Sequence, residues 1–404
     1  MYLIIGSLHS VFKKHFDEHK ITYYIIKDEK RHYVFEDGGH LIDFDDQAAV
    51  LAAVDALPER PSCVWTMYER YIALTADINR HLGLTHALSP EAARASTDKI
   101  LMREAFARAP EPISPPFAAV SSEADVRAFA TAHGFPVILK PANLSKSLLI
   151  TRCDTMEALV AAWQHASAQA AELYAHYTDG LQPRFILESF MPGSVHTALG
   201  YADKDGTVVL ADALVDNITA QEAGFDDSFI YSRAMPSLLS AAQQQALLHC
   251  AEQGMRALGL RSCAAHIELI LTKDGPRIIE IGARLGGYRT TMYSMVNGIN
   301  IVGATIAAYS GELPDLTPTR HAHYRAIEIF PTERGSLVEI TQFTAASQLP
   351  SISAARLKAQ LGDTVGKASQ GFKAVAIFEL YSDSADQIAQ DYDYIRTHVT
   401  AVTA

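Results

Sequence analysis

The sequence predicts a three-part α/β and α+β chain: an open α/β domain first, a larger mixed region, and a small α+β cap. Three observations carry this. Residues 2–6, YLIIG, read as a buried strand, a helix follows near 9–19, and ITYYIIK at 21–27 is a second strand; strand, helix, strand begins a parallel layer. Residues 263–281 alternate as a hairpin around Lys273-Asp274-Gly275. The tail carries the strands RAIEIFP and KAVAIFELY and ends in a helix at 384–398.

The first domain spans 1–95, with helical text at 47–57 and 66–82 and a third strand at Val64-Trp65. Ser89-Pro90-Glu91 then reads as an N-cap, an N1 proline and a first-turn acid. The next helix is broken by APEPISPPF at 109–117. A smaller lobe at about 115–190 follows, with a helix at 121–133, strands at 136–141, 148–153 and 184–190, and a long helix at 155–175. After an irregular stretch at 215–238 come a helix at 239–258, the hairpin, and a helix near 298–309. The middle region is placed at 96–318 and the cap at 319–404.

Composition is that of an ordinary globular protein: 404 residues, 49% hydrophobic and 20% charged. A net charge of −12 argues against a nucleic-acid partner. No apolar run approaches the ~20 residues of a membrane span. Four cysteines without a CxxC pair read as reduced thiols, so a cytoplasmic setting is expected. No GxGxxG or GxxxxGK[ST] occurs, which excludes a dinucleotide fingerprint and a P-loop.

The most informative residues are Glu268 and Glu280. With a three-residue loop the two stand directly opposite on one sheet face; a two-residue loop would put them on opposite faces. Paired carboxylates repel, and Mg²⁺, which takes a few carboxylate oxygens plus substrate phosphates, would relieve that. Arg284 follows on the same alternation and could meet phosphate or developing negative charge. Lys140 ends an apolar strand beside the polar loop ANLSKS, where Ser145, Lys146 and Ser147 offer donors to a triphosphate. Lys99 and Arg103 share one helix face. Glu188 ends the strand RFILESF just before Phe190 and Met191, where an acid could hold a nucleobase amino group. His196 could contact phosphate or ribose. None of these signals is specific alone, and each lysine also reads as a surface charge.

Their order, however, resembles the ATP-grasp superfamily over about residues 96–310: DKxxxR at 98–103, PVxxKP at 136–141, ExFxxG at 188–193 and HxExxxxxxGxxxIExxxRxGG at 266–287. The resemblance implies an ATP-grasp fold with a preceding α/β domain and a following cap. It implies that Lys99 and Lys140 hold ATP phosphates, Glu188 takes the adenine amino group with Phe190 and Met191 at the base, and His196 lies near the ribose. Glu268 and Glu280 would bind Mg²⁺ (or Mn²⁺), and Arg284 would stabilise the transferring phosphoryl group. The chain departs from the pattern twice: Gly282 stands where asparagine is usual, and ANLSKSLLI lacks the usual glycines. The EIGARLGG ending resembles carboxylate–amine ligases, including amino-acid and dipeptide ligases. The expected partners are therefore a small carboxylate and an amine, with a homodimer expected on resemblance alone. Arg289 and Tyr288 could reach an amino-acid carboxylate, and 217–235, with Arg233, could form a lid. The alternatives are a purine-pathway or bicarbonate-activating ligase of the same superfamily, or a degenerate nucleotide-binding protein.

Overall fold

The computed structural model describes residues 1–31, 38–144, 149–177, 181–227 and 229–404. Ser145, Lys146 and Ser147 therefore lie outside the described residues. The first sheet is parallel, in the order His40–Ile42, Tyr23–Asp28, Tyr2–Ile5, Cys63–Thr66. Its inner strand Tyr2–Ile5 and the neighbouring Cys63–Thr66 are short, largely apolar runs buried on both faces, as a helix-covered parallel sheet requires. Past Thr66 the chain makes a one-turn 3-10 helix, Glu69–Tyr71, before the helix Ile72–His81. Glu69 thus leaves the carboxyl end of a parallel strand, where open α/β sheets commonly bind ligands.

The smaller lobe is an antiparallel sheet in the order Phe117–Val120, Phe185–Ser189, Val137–Pro141, Thr151–Cys153. Period-two alternation divides its faces. Val137, Leu139, Phe185 and Leu187 pack against the helices Glu123–His133 and Met156–Tyr177. Lys140 and Glu188 lie on the other face, since Ile138 pairs with Glu188 and Lys140 with Ile186.

The central sheet runs Gly275–Gly282, Cys263–Thr272, Ser194–Ala202, Val215–Thr219, Ile230–Met235, His323–Ile329, Ala376–Ser382, Ile352–Leu357, with Val208–Leu210 beside Ser194–Ala202. The C-terminal segment is α+β, and its strands extend this sheet: Arg233 pairs with Ala326, and Ala326 with Glu379. The stretch 217–235, expected as a lid, begins and ends in two central strands, Val215–Thr219 and Ile230–Met235, with Asn217 opposite Arg233 and turns and bends at 220–227. Its polar residues suggest a loop in sequence, but Asn217 and Arg233 lie in the strands, on the face of the sheet that carries Glu268. The opposite face is closed by the helix Ala241–Ala257, with Leu247, Ala251 and Met255 in the main core.

All four cysteines are free and buried. Among the described residues no helix is long and apolar enough to cross a membrane. Gly193, between the smaller lobe and the central sheet, admits no side chain: a Cβ there would stand 2.2 Å from the carbonyl oxygen of Leu271. Gly193→Ala is expected to cost about 1–3 kcal/mol of stability, read from urea midpoints; an unchanged midpoint would show that this contact relaxes freely.

Candidate active site

The hairpin joining Cys263–Thr272 to Gly275–Gly282 has a two-residue loop, Lys273-Asp274, because Thr272 pairs with Gly275. Gly275 adopts φ +101°, a conformation open to glycine. That register would put the glutamates on opposite faces. A bulge intervenes: Leu269 pairs with Ile278, Glu268 pairs with Glu280, and Ile279 is the extra residue. The glutamates therefore share a face through a different local geometry from the three-residue loop expected. The carbonyl of Ile279 accepts a 2.8 Å hydrogen bond from Nη2 of Arg103.

Asp98 N-caps the helix Lys99–Phe106 by accepting from the amides of Ile100 and Leu101. Lys99 is thereby fixed on the first turn. Its Nζ lies 3.4 Å from Glu280 Oε2 and donates to the Leu144 carbonyl at 3.2 Å. One turn on, Arg103 is fully buried. Its Nε donates to Glu188 Oε1 at 2.8 Å, and its Nη1 has no partner.

Across the cleft, Lys140 Nζ contacts Glu188 Oε2 at 2.7 Å. Burial pushes the Lys140 ammonium below its usual range against the pull of Glu188. Burial alone would raise the Glu188 carboxyl, but Arg103 and Lys140 outweigh it and hold it at about 2. Glu188 is 3% exposed and both its oxygens are committed. In this state it anchors two cations, one on each oxygen. The Phe190 ring lies under the Arg152 guanidinium, 4.3 Å away, and Met191 is half-buried beside it in sequence.

Glu268 and Glu280 have side chains 43% and 34% exposed, so both open onto the cleft. Burial works against ionising Glu268, but the His266 hydrogen bond (3.2 Å) and the nearby Arg289 and Arg284 hold its carboxyl below the usual range. Burial lowers the His266 imidazole below its usual range, against the pull of Glu268. No three acidic, histidine or cysteine side chains among the described residues gather closely enough to enclose a metal. Any cation here would rest on the two facing carboxylates, with the rest of its shell left to phosphate and water oxygens. The pair fits a divalent cation of hard character.

Arg284 is held from an unexpected side: its Nε lies 2.6 Å from Oε2 of Glu69, just past the parallel strand Cys63–Thr66. The space is left by Gly282, where a Cβ would meet that oxygen at 2.9 Å. Burial raises the Glu69 carboxyl, with Arg284 opposing and Glu280 adding to the rise. Arg289 is 4% exposed. Its Nε has no partner, its Nη1 donates only to the Met292 sulfur at 3.3 Å, and burial lowers it to about 10. Beside it, the Tyr288 hydroxyl and Arg233 Nη1 each donate to Glu328 Oε1 at 2.9 Å, with Arg233 also 5.0 Å from the centre of the Tyr288 ring.

His196 is placed elsewhere. It pairs with Leu269 and Asp216, so it faces away from Glu268. Its ring nitrogens contact Ser194 Oγ at 2.7 Å and Asp216 Oδ1 at 2.8 Å. The sequence reading gave no role to Arg103, Glu69 and Glu328. Arg103 stood inside the DKxxxR motif on the face of Lys99. Glu69 had a usable signal, an acid just past the buried run CVWT. Glu328 is placed only by pairing between distant strands.

Comparison with known proteins agrees with this geometry. Residues 133–292 match the ATP-grasp domain family. The chain is 24% identical over 366 residues to alanine–anticapsin ligase of Bacillus subtilis (strain 168), covering 83% of this chain and 76% of that protein. It is 27% identical over 218 residues to D-alanine–D-alanine ligase of Cupriavidus metallidurans, covering 52% and 62%. Its fold superposes on the crystal structure of L-amino acid ligase from Bacillus licheniformis with TM-score 0.81 at 17% identity, covering 100% and 98% of the two chains. Phosphoribosylglycinamide synthetase from Anaerococcus prevotii superposes at 0.69, again with 17% identity, covering 100% and 99%. The chain carries an ATP-grasp domain and has the ATP-grasp fold. Within that fold, its central sheet and the smaller antiparallel sheet form the two walls of the site.

Proposed function

We propose that this protein is an ATP-dependent carboxylate–amine ligase that forms an amide or peptide bond on an amino acid or small peptide, releasing ADP and phosphate. The observation that carries the proposal is the Glu268–Glu280 pair, brought onto one face beside Arg284 and Lys99 and opposite the buried Lys140. This is an arrangement for polyphosphate rather than for base or hydride chemistry. Sequence similarity to amino-acid ligases supports the same class.

In the first step a substrate carboxylate oxygen attacks the γ-phosphorus of ATP and the bond to the ADP oxygen breaks, giving an acyl phosphate. In the second, an amine nitrogen attacks the acyl carbon, the carbon–oxygen bond to phosphate breaks, and the nitrogen gives up a proton. Lys99 and Lys140 position the phosphates, and Arg284 meets the charge on the group in transfer. Glu268 and Glu280 would hold Mg²⁺, which supplies charge neutralisation between phosphate oxygens. Arg289, buried without a carboxylate partner, is the group we assign to a substrate carboxylate. A buried guanidinium left uncompensated is costly, and an anionic substrate relieves it.

The test is phosphate release from MgATP across amino acids, singly and in pairs, with nucleotide and amide products identified. ADP and phosphate appearing only with particular pairs, together with the amide, is the expected result; AMP and pyrophosphate would overturn it. Carbamoylated, carboxylated or ribosyl products would move the reading to the bicarbonate-activating or purine-pathway alternatives. Arg284→Met is expected to leave MgATP affinity within about twofold and to lower turnover by about 10²–10³-fold, measured by equilibrium titration and steady-state kinetics.

A further inference from the structure

We propose that Glu69, from the N-terminal domain, is a positioning residue for Arg284 that orients its guanidinium toward the transferring phosphoryl group. The inference rests on the function proposed above for Arg284. Glu69 comes off the end of the Cys63–Thr66 strand, and its oxygens make no hydrogen bond beyond the Arg284 ion pair. A buried carboxylate so placed is expensive unless the charge beside it repays the cost. Arg284 spends Nε on Glu69 and Nη1 on the Leu285 carbonyl at 3.0 Å, so two of its three nitrogens are fixed. Nη2 is the nitrogen left to meet a ligand. An arginine held on two sides loses little rotamer freedom when an anion arrives.

Gly282 makes the arrangement possible. Any side chain there would begin within 2.9 Å of Glu69 Oε2. The departure at Gly282 is therefore filled by a carboxylate from another domain rather than left as a gap. A competing role is a third metal ligand. Against it, Glu69, Glu268 and Glu280 do not gather into a metal-enclosing group among the described residues. The nearest cation to Glu69 is Arg284.

The test uses the intact chain and needs no amide product. Wild type, Glu69→Gln, Glu69→Asp, Arg284→Met and the Glu69→Gln/Arg284→Met double variant are titrated with MgADP, alone and with aluminium fluoride, a mimic of the transferring phosphoryl group. MgADP affinity is expected to change by less than about twofold in every variant. The fluoride complex should weaken about 10- to 100-fold in Glu69→Gln, by a similar factor in Arg284→Met, and no further in the double variant. Glu69→Asp should recover part of the loss, which a folding defect would not explain. In turnover, Glu69→Gln should lower kcat and leave the KM for ATP unchanged.

A wild-type fluoride complex no tighter than MgADP alone would overturn the proposal. So would undisturbed fluoride binding in Glu69→Gln, or losses that add in full in the double variant. Weaker Mn²⁺ binding by Glu69→Gln, read by electron paramagnetic resonance, would make Glu69 a metal ligand instead. Intact coupling in a protein that forms no amide would refute the ligase reading alone, and amide formation without coupling would refute the positioning role alone.

Discussion

Glu280→Gln is expected to lower turnover by at least about 10³-fold while the protein stays folded. Glu280 is one of only two carboxylates facing each other across the hairpin, and its side chain opens onto the cleft. Glutamine keeps the shape and removes the charge. Metal-assisted stabilisation of a transferring phosphoryl group is worth several kcal/mol, each 1.4 kcal/mol being about tenfold. The substitution also takes away the carboxylate partner of Lys99, 3.4 Å distant, leaving that ammonium free to meet phosphate without competition. ATP affinity without metal should therefore hold or rise slightly, while Mn²⁺ binding falls. Near-normal turnover in Glu280→Gln would remove the metal assignment.

Glu188→Ala is expected to be the most damaging substitution for stability, at about 3–5 kcal/mol. The loss comes from two cations at once: Arg103, fully buried, and Lys140, 5% exposed, would be left without their shared carboxylate. The same network sets an acid dependence. The Glu188 carboxyl sits at about 2 in the folded protein against an ordinary 4.5. A depressed carboxyl contributes stability that is complete above the unfolded value, so this contribution is lost as pH falls from about 4.5 toward 2. Urea midpoints measured from pH 7 to pH 3 should fall more steeply for wild type than for Glu188→Gln. Parallel curves would mean that the network does not govern the acid limb.

The behaviour of Glu188 also shows how far the site could be read from the chain. Its strand was legible because RFILESF holds a short apolar run bounded by Pro183 and by Pro192-Gly193. Its partners were not, because Arg103 lies 85 residues away and nothing local announces that a guanidinium will enter the lobe. The hairpin carried a subtler lesson. Opposition of Glu268 and Glu280 was anticipated from a three-residue loop, whereas the loop has two residues and a bulge restores the pairing. Ile278 and Ile279 hide that bulge, because two adjacent β-branched residues suit either face of a strand. The stretch 215–238 misled for the opposite reason. Asp216, Asn217 and Arg233 are polar because they meet a cleft or a neighbour, and polarity in a central strand imitates a loop. The parallel first sheet was legible from its short, largely apolar runs, apart from the strand His40–Ile42, which offers too few residues for a pattern.

One arginine ties together parts of this molecule that a hinge would otherwise separate. Arg103 grips Ile279, the bulged residue that brings Glu268 opposite Glu280, and with its other edge it holds Glu188, on the strand beside the one that carries Lys140. Swinging the smaller lobe outward would pull on both grips. Separating Glu188 from Arg103 would leave that buried guanidinium without a carboxylate partner among the described residues. On the proposed ligase reading, one guanidinium both joins the smaller lobe to the central sheet and braces the bulge that pairs Glu268 with Glu280, so holding the cleft together and aligning the two glutamates draw on the same side chain.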